Sequence, residues 1–199
     1  MIDSASNKSE NVIDSDTQDS PITVQIPPLT VADDVSFTSP LADIINTVYK
    51  DAEEDIFQPY LPRTSSAEVA QAIRNGQLAV AYLNKTGEPV GCISIKLLTA
   101  DRGEFGMLAL DAKHRGSGLG RQMILFAEDE CRRRGCTIMQ LELLVPTTVR
   151  HAGKERMAAW YLRLGYTFVK VGDFDAEYPE LAKVLAGPTE YRIFEKSLV

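Results

Sequence analysis

Between Leu108 and Met123 the chain reads L-A-L-D-A-K-H-R-G-S-G-L-G-R-Q-M, with glycines at 116, 118 and 120. They separate a strand-like apolar run from a long helical pattern. Glycine lets the backbone approach a ligand closely, and successive amides at a helix N-terminus form a positive, donor-rich concavity. Phosphate is the natural guest of such a loop. The plain alternative is a tight turn from strand to helix. Two familiar phosphate loops fit poorly. A P-loop closes on Gly-Lys-Ser/Thr, whereas Gly120 is followed by Arg121 and Gln122. A dinucleotide fingerprint requires G-x-G-x-x-G and an acidic residue about 20 positions on; position 121 is Arg and no clear acid follows at that distance.

Glu142 is the second residue with chemical promise. It interrupts the apolar run Q-L-E-L-L on one face, and a carboxylate there needs a buried partner or a reaction to serve. Cys92, Cys131 and Cys136 lack metal-ligand spacing and have no histidine to complete a site, so buried free thiols are expected and no metal. Neither His114 nor His151 is flanked by a nucleophile motif.

The elements that would position these residues follow from periodicity. Ile22–Ile26 alternates like a strand and stops at Pro27. Leu41–Glu53 has the i, i+3, i+4, i+7 apolar spacing of an amphipathic helix, and Ser66–Asn75 predicts a second, capped by Ser65 or Ser66 and closed by Gly76. Gln77–Leu83 and Pro89–Leu98 form a hairpin around N-K-T-G-E. Gly103–Leu110 reads as a central strand, with Phe105, Met107 and Ala109 on one face and Leu108 and Leu110 on the other. A helix over Gly118–Arg134 carries the pairs Glu128/Arg132, Asp129/Arg133 and Glu130/Arg134. Thr137–Val145 is a strand, Lys154–Leu164 a helix, Tyr166–Val171 a strand, Ala176–Leu185 a helix and Tyr191–Leu198 a last strand. The order defines a mixed α+β fold with an open sheet, in one domain over residues 21–199 after a disordered acidic tail at residues 1–20.

R-G-x-G-L-G closely resembles motif A of the GNAT N-acetyltransferases, the pyrophosphate loop for acetyl-CoA. Q-L-E-L-L resembles the next strand of that family. A-A-W-Y-L-R-L-G-Y, Ala158 to Tyr166, resembles its Tyr-x-x-x-Gly-Phe/Tyr helix. The resemblance covers roughly the last half of the chain, and the earlier elements match the family order. It implies a mostly antiparallel open sheet flanked by helices, acetyl-CoA as co-substrate, and direct attack of an amine in a ternary complex. The amides of Arg115, Gly116, Ser117, Gly118, Leu119, Gly120 and Arg121 would hold the pyrophosphate, aided by the Arg115 and Arg121 side chains. The backbone of Leu108, Ala109 and Leu110 would pair with pantetheine and supply the oxyanion donor.

The same resemblance makes Tyr161 the general acid and Glu104 or Glu142 the base, working directly or through water. Tyr161 could also be plain core beside Met157, Trp160 and Leu164, and Glu104 a solvated strand-end carboxylate. Seven residues before Tyr161 the family usually carries Asn, a coenzyme contact. Here Lys154 stands in its place, free to meet a phosphate, the substrate or solvent. Arg150 and His151 lie just upstream and could line the acceptor site. The acceptor pocket would come from Tyr49–Thr64, with Glu53, Glu54, Asp55 and Tyr60, and from Val171–Tyr178, with Asp173, Asp175 and Glu177. Both segments are acid-rich, which suits an amine. A coenzyme-binding module without turnover and a protein acetyltransferase (lysine or N-terminal) are the competing readings.

The bulk properties agree. A chain of 199 residues, 44% hydrophobic, with a net charge of −7, is that of a globular protein. Nucleic acid is an unsuitable partner for such an acidic chain. No apolar run approaches the ~20 residues of a membrane span, and no secretory or transit signal opens the chain. The cytosol, shared with the nucleus or not, is the expected compartment. A homodimer stays open. The first twenty residues hold five acids and one lysine, whereas basic residues gather between Lys113 and Arg134. That polarity suits an anionic ligand at the basic corner.

Overall fold

A computed structural model describes residues 21–199; the acidic tail read over residues 1–20 lies outside the described residues. Seven strands build one open sheet: β1 (Ile22–Gln25), β2 (Leu78–Leu83), β3 (Pro89–Leu97), β4 (Arg102–Leu110), β5 (Ile138–Pro146), β6 (Thr167–Val171) and β7 (Thr189–Ser197). Their spatial order is β1-β2-β3-β4-β5-β7-β6. Every neighbouring pair is antiparallel except β4 with β5. The fold is therefore the expected mixed α/β arrangement with a mostly antiparallel sheet.

Helices α1 (Val35–Glu53) and α2 (Ser66–Arg74) cover one face, where Leu41, Ile45, Val69 and Ile73 pack on Leu78, Val80 and Cys92. Helices α3 (Leu119–Arg133) and α4 (Ala152–Arg163) cover the other, where Met123, Ile124 and Tyr161 meet Ile93, Phe105 and Phe194. No helix among the described residues is long and apolar enough to cross a membrane. Helix α2 starts as its sequence demands. The Ser65 side chain accepts from the Glu68 amide, and Glu68 accepts from the Ser65 amide at 2.7 Å, a complete capping box.

Several expectations are corrected. Helix α1 begins at Val35, six residues before Leu41, because Asp34 caps it by accepting from the Ser36 amide at 2.8 Å; Pro40 lies inside its second turn. The helix expected over Ala176–Leu185 is two single turns, α5 (Phe174–Glu177) and α6 (Pro179–Ala182). Pro179 forces the break: the proline ring disfavours a helical residue before it, and Tyr178 sits at φ −134°, ψ 61°.

On α3, Arg133 pairs with Glu130 rather than Asp129, and Glu128 is no surface carboxylate. It is 1% exposed and accepts from Lys196 and from the Tyr166 hydroxyl, each at 2.8 Å. Phe105 also faces away from Met107 and Ala109. Between Cys92 and Ser94 of β3 the register on β4 jumps from Ala109 to Gly106, an extra residue on β4. Met107 there has φ +46°, rare for a side chain with a Cβ. This bulge reverses the alternation, so Phe105 joins Leu108 and Leu110 in the α3–α4 core while Met107 and Ala109 face α1.

Candidate active site

The bulge does more than turn side chains. Strand β5 pairs with β4 only from Arg102 to Glu104, opposite Ile138 to Gln140. Beyond Glu104 the two parallel strands part, and the β5-facing edge of β4 from Phe105 to Leu110 is left open between them. An open strand edge offers unpaired amides and carbonyls to an extended guest. The glycine loop meets the end of this opening. Gly116 and Gly118 have φ +80° and +83°, and an added Cβ at either would meet nothing within 4 Å, so the glycines serve backbone geometry rather than packing. Gly118 is the left-handed N-cap of α3 and offers no side-chain cap, which leaves the first amides of that helix outward. Gly120 is different. A Cβ there would lie 3.4 Å from the Trp160 ring, so the loop rests on α4.

One cavity of about 1100 Å³ runs from this loop to α5. Its walls include Arg115, Gly116, Gly118, Gly120 and Arg121 at one end and Glu104, Glu142, Tyr161 and Lys154 deeper in. Loop, open edge and all three proposed proton carriers thus share one space. The dimensions and donors suit a long anionic ligand with an extended arm.

Tyr161 is 4% exposed, with its ring tilted against both Trp160 and Phe105. Burial, reinforced by the charge of Glu53, pushes its hydroxyl well above the ordinary tyrosine range, so the proton stays on. Glu104 is buried at the point where β4 and β5 diverge. Burial first, then the neighbouring Glu142 carboxylate, pushes its carboxyl up to about 7, against partial relief from Lys96 at 3.9 Å. Two carboxyl groups in one pocket hold a proton between them more readily than two exposed ones would. Glu142 accepts from the Tyr178 hydroxyl at 3.2 Å and from Gln140 at 3.4 Å, which answers the partner question its strand position raised. The buried Tyr191 ring packs against Tyr178.

Lys154 does not present its charge to a ligand. It is 2% exposed and its Nζ donates to Glu53 Oε1 at 2.6 Å, an ion pair that bridges α4 to the end of α1. His151 lines the cavity and caps α4, its Nδ1 accepting from the Lys154 amide while Nε2 lies 3.3 Å from Asp55. Arg150 is exposed and pairs with Glu155. Among the acid-rich segments, Glu53 and Tyr60 reach the cavity, Asp173 caps α5, and Glu54, Asp55, Asp175 and Glu177 are exposed. Sequence reasoning passed over Lys96, Arg63 and Tyr191, which the fold brings to the same wall. Alternation along β3 and β7 carries no hint that these residues face a cavity rather than solvent or core.

An open edge of β4, a phosphate-suited loop and a buried tyrosine in one cleft define a transferase that takes an acyl group from a coenzyme thioester. The Acetyltransferase (GNAT) family matches residues 44–166, more than half of the chain. N-alpha-acetyltransferase 30 of Saccharomyces cerevisiae is 28% identical over 135 residues, 63% of this chain and 69% of that protein. Among solved structures, the NatC complex bound to Gag peptide and CoA superposes with a TM-score of 0.60 at 19% identity, over 90% of this chain and 100% of that chain. The N-acetylglutamate synthase of Neisseria gonorrhoeae, complexed with coenzyme A and N-acetyl-glutamate, gives 0.56 at 17% identity over 89% of this chain. This chain spans about a third, 35%, of that longer protein. The chain belongs to the GNAT family of acetyl-CoA-dependent N-acetyltransferases.

Proposed function

We propose that the protein moves the acetyl group of acetyl-CoA directly onto a primary amine, with Glu104 as proton acceptor and Tyr161 as proton donor. The observation that carries this reading is the convergence of both residues on the cleft where β4 and β5 part. The amine nitrogen attacks the thioester carbonyl, forming the C–N bond, and its proton passes to Glu104 directly or through one water. The oxyanion accepts from the β4 backbone at Leu108 to Leu110, where unpaired amides face the cleft. The C–S bond then breaks and the thiolate takes the Tyr161 proton. The proton on Glu104 and the vacancy on Tyr161 are then levelled with solvent, so no net charge is left on the protein.

The loop amides from Arg115 to Arg121, with the Arg115 and Arg121 side chains, would hold the pyrophosphate. Burial first, and then Glu142, fixed by Tyr178, keep the Glu104 carboxyl basic enough to accept a proton near neutrality. The two-carboxylate pocket favours a cation over a neutral acceptor, which supports an acceptor that arrives as an ammonium, releases one proton to solvent to become the nucleophilic amine, and gives its second proton to Glu104 on attack. The yeast relative favours a second reading, acetylation of the α-amine of a peptide. A thiol-release assay with acetyl-CoA and a panel of amines and short peptides tests both. CoA release that depends on the amine is expected. Coenzyme binding with no release by any amine or peptide would leave a binding module without turnover.

A further inference from the structure

Arg63 lies in the connection between α1 and α2, half-buried on the wall that also carries Tyr49, Tyr60 and Tyr178. Its guanidinium sits over the Tyr49 ring at 4.9 Å. Among the described residues it makes no ion pair and no hydrogen bond, although the cavity around it is acidic. The carboxylate whose charge reaches it, Glu53, is held by Lys154 at 2.6 Å. Of the other cations that line the pocket, Lys96 faces Glu104 and Arg115 meets Asp51 at 3.6 Å, while Arg121 belongs to the glycine loop and Arg156 to α4. Arg63 therefore lines the cleft with five unused donors, which a ligand filling it would desolvate. Desolvating such donors without an acceptor is costly, and a carboxylate in fork-to-fork geometry is the acceptor they match best.

We propose that Arg63 binds a carboxylate of the acceptor, which makes the acceptor a small amino carboxylate, with amine and carboxylate a few atoms apart in one molecule. The assignment rests on the amine-acetylation reading above. Tyr178 sets the scale. Its hydroxyl donates to Glu142 at 3.2 Å and lies in the field of both Glu104 and Arg63, so the acidic pair and the guanidinium flank one tyrosine. A small zwitterion spans that gap with its ammonium at Glu104 and its carboxylate at Arg63. The reverse orientation sets like charges together at both ends. The coenzyme phosphates would have their own donors in the loop from Arg115 to Arg121, a segment of the lining separate from Arg63. An extended amine without a carboxylate satisfies the acidic end and strands Arg63.

Steady-state thiol release on the full chain tests this with matched acceptors: short α- and ω-amino acids, their carboxamides, and the corresponding decarboxylated amines. Wild type is expected to favour each amino acid over its carboxamide by about 10- to 100-fold in kcat/KM, the range for a hydrogen bond to a charged group. Arg63→Gln collapses that ratio towards one, chiefly by raising KM for the amino acids, and Arg63→Lys keeps part of it. An unchanged melting temperature and acetyl-CoA-induced shift in both variants show that the fold is intact. A ratio near one in wild type, or an undiminished ratio in Arg63→Gln, overturns the assignment. So does a preference for peptides with an acidic first residue over the free amino acids. If no acceptor releases CoA, titration of N-acetylated amino acids into the CoA-loaded protein separates the two readings. Binding that Arg63→Gln abolishes sinks the reaction and keeps the carboxylate site; no binding sinks both.

Discussion

Burial favours the protonated form of both Tyr161 and Glu104, and the roles proposed for them ask opposite things of that proton. A buried phenol keeps its proton, which is what a donor to a departing thiolate needs, and its ring is held by Phe105 and Trp160 whether or not it reacts. Tyr161→Phe keeps that packing and removes one hydroxyl. Turnover should fall by ~10²-fold or more, with the melting temperature nearly unchanged. A near-wild-type rate where chemistry limits turnover would remove Tyr161 from the mechanism. Glu104 works the other way. Its carboxyl is raised to about 7 in the folded protein, so the native state holds that proton longer than the unfolded chain. Ionising it in place costs stability: the cost is absent below the unfolded value and complete above about pH 7. Glu104→Gln should therefore be more stable than wild type above pH 7, read as a higher melting temperature at pH 8 than at pH 5 relative to wild type. Its rate should fall by ~10²- to 10⁴-fold and lose the rise through pH 7 that wild type shows. A rise that survives in the variant transfers the base to Glu142.

At the scale of elements, sequence and structure agree where one local rule decides and part company where two elements meet. The glycine loop was legible because left-handed backbone and outward amides need glycine at fixed positions, 116 and 118. The start of α2 was legible to within one residue, Ser65 or Ser66, and the reciprocal bonds with Glu68 settle it on Ser65. The face of Phe105 was not, since alternation counts residues and a bulge at Met107 inserts one. The partners of Lys154 and Glu128 were equally hidden. Lys154 finds Glu53 across 101 positions and Glu128 finds Lys196 across 68, and nothing within either helix signals a carboxylate or ammonium on another element. The Glu128 cluster ties α3 to β7 and to the turn before β6, which holds the coenzyme helix against the sheet. Glu128→Ala strands Lys196 and the Tyr166 hydroxyl in the core, and should cost about 3–5 kcal/mol in chemical denaturation, the range for breaking a buried pair. A loss within the range of a surface ion pair, below about 1 kcal/mol, would show that solvent reaches the cluster.

Across the whole molecule, an acidic protein of net charge −7 must bind a polyanionic coenzyme, and the local basic loop is the place proposed for it. That loop is not entirely free. Arg115 leans on Asp51 of α1 at 3.6 Å, both half-exposed, so on the proposed reading α1 would compete with the coenzyme for one of the loop's cations. Acetyl-CoA at 100 times its dissociation constant should stabilise the fold by about 2.7 kcal/mol. In a domain of this size that is a rise of roughly 5–10 °C in melting temperature. Two substitutions should move this shift in opposite directions. Gly118→Ala forces a Cβ into a left-handed N-cap and tilts the first amides of α3, so the shift should vanish while the free protein stays folded. Asp51→Asn frees Arg115 and removes a negative charge near the phosphates. The exposed pair is worth at most about 1 kcal/mol, so binding should tighten by about threefold and the shift grow by a degree or two, less so in high salt. A smaller shift in Asp51→Asn would mean that Asp51 holds Arg115 in its binding position instead of competing for it. The salt dependence separates the cases, because competition fades on screening and a structural role does not.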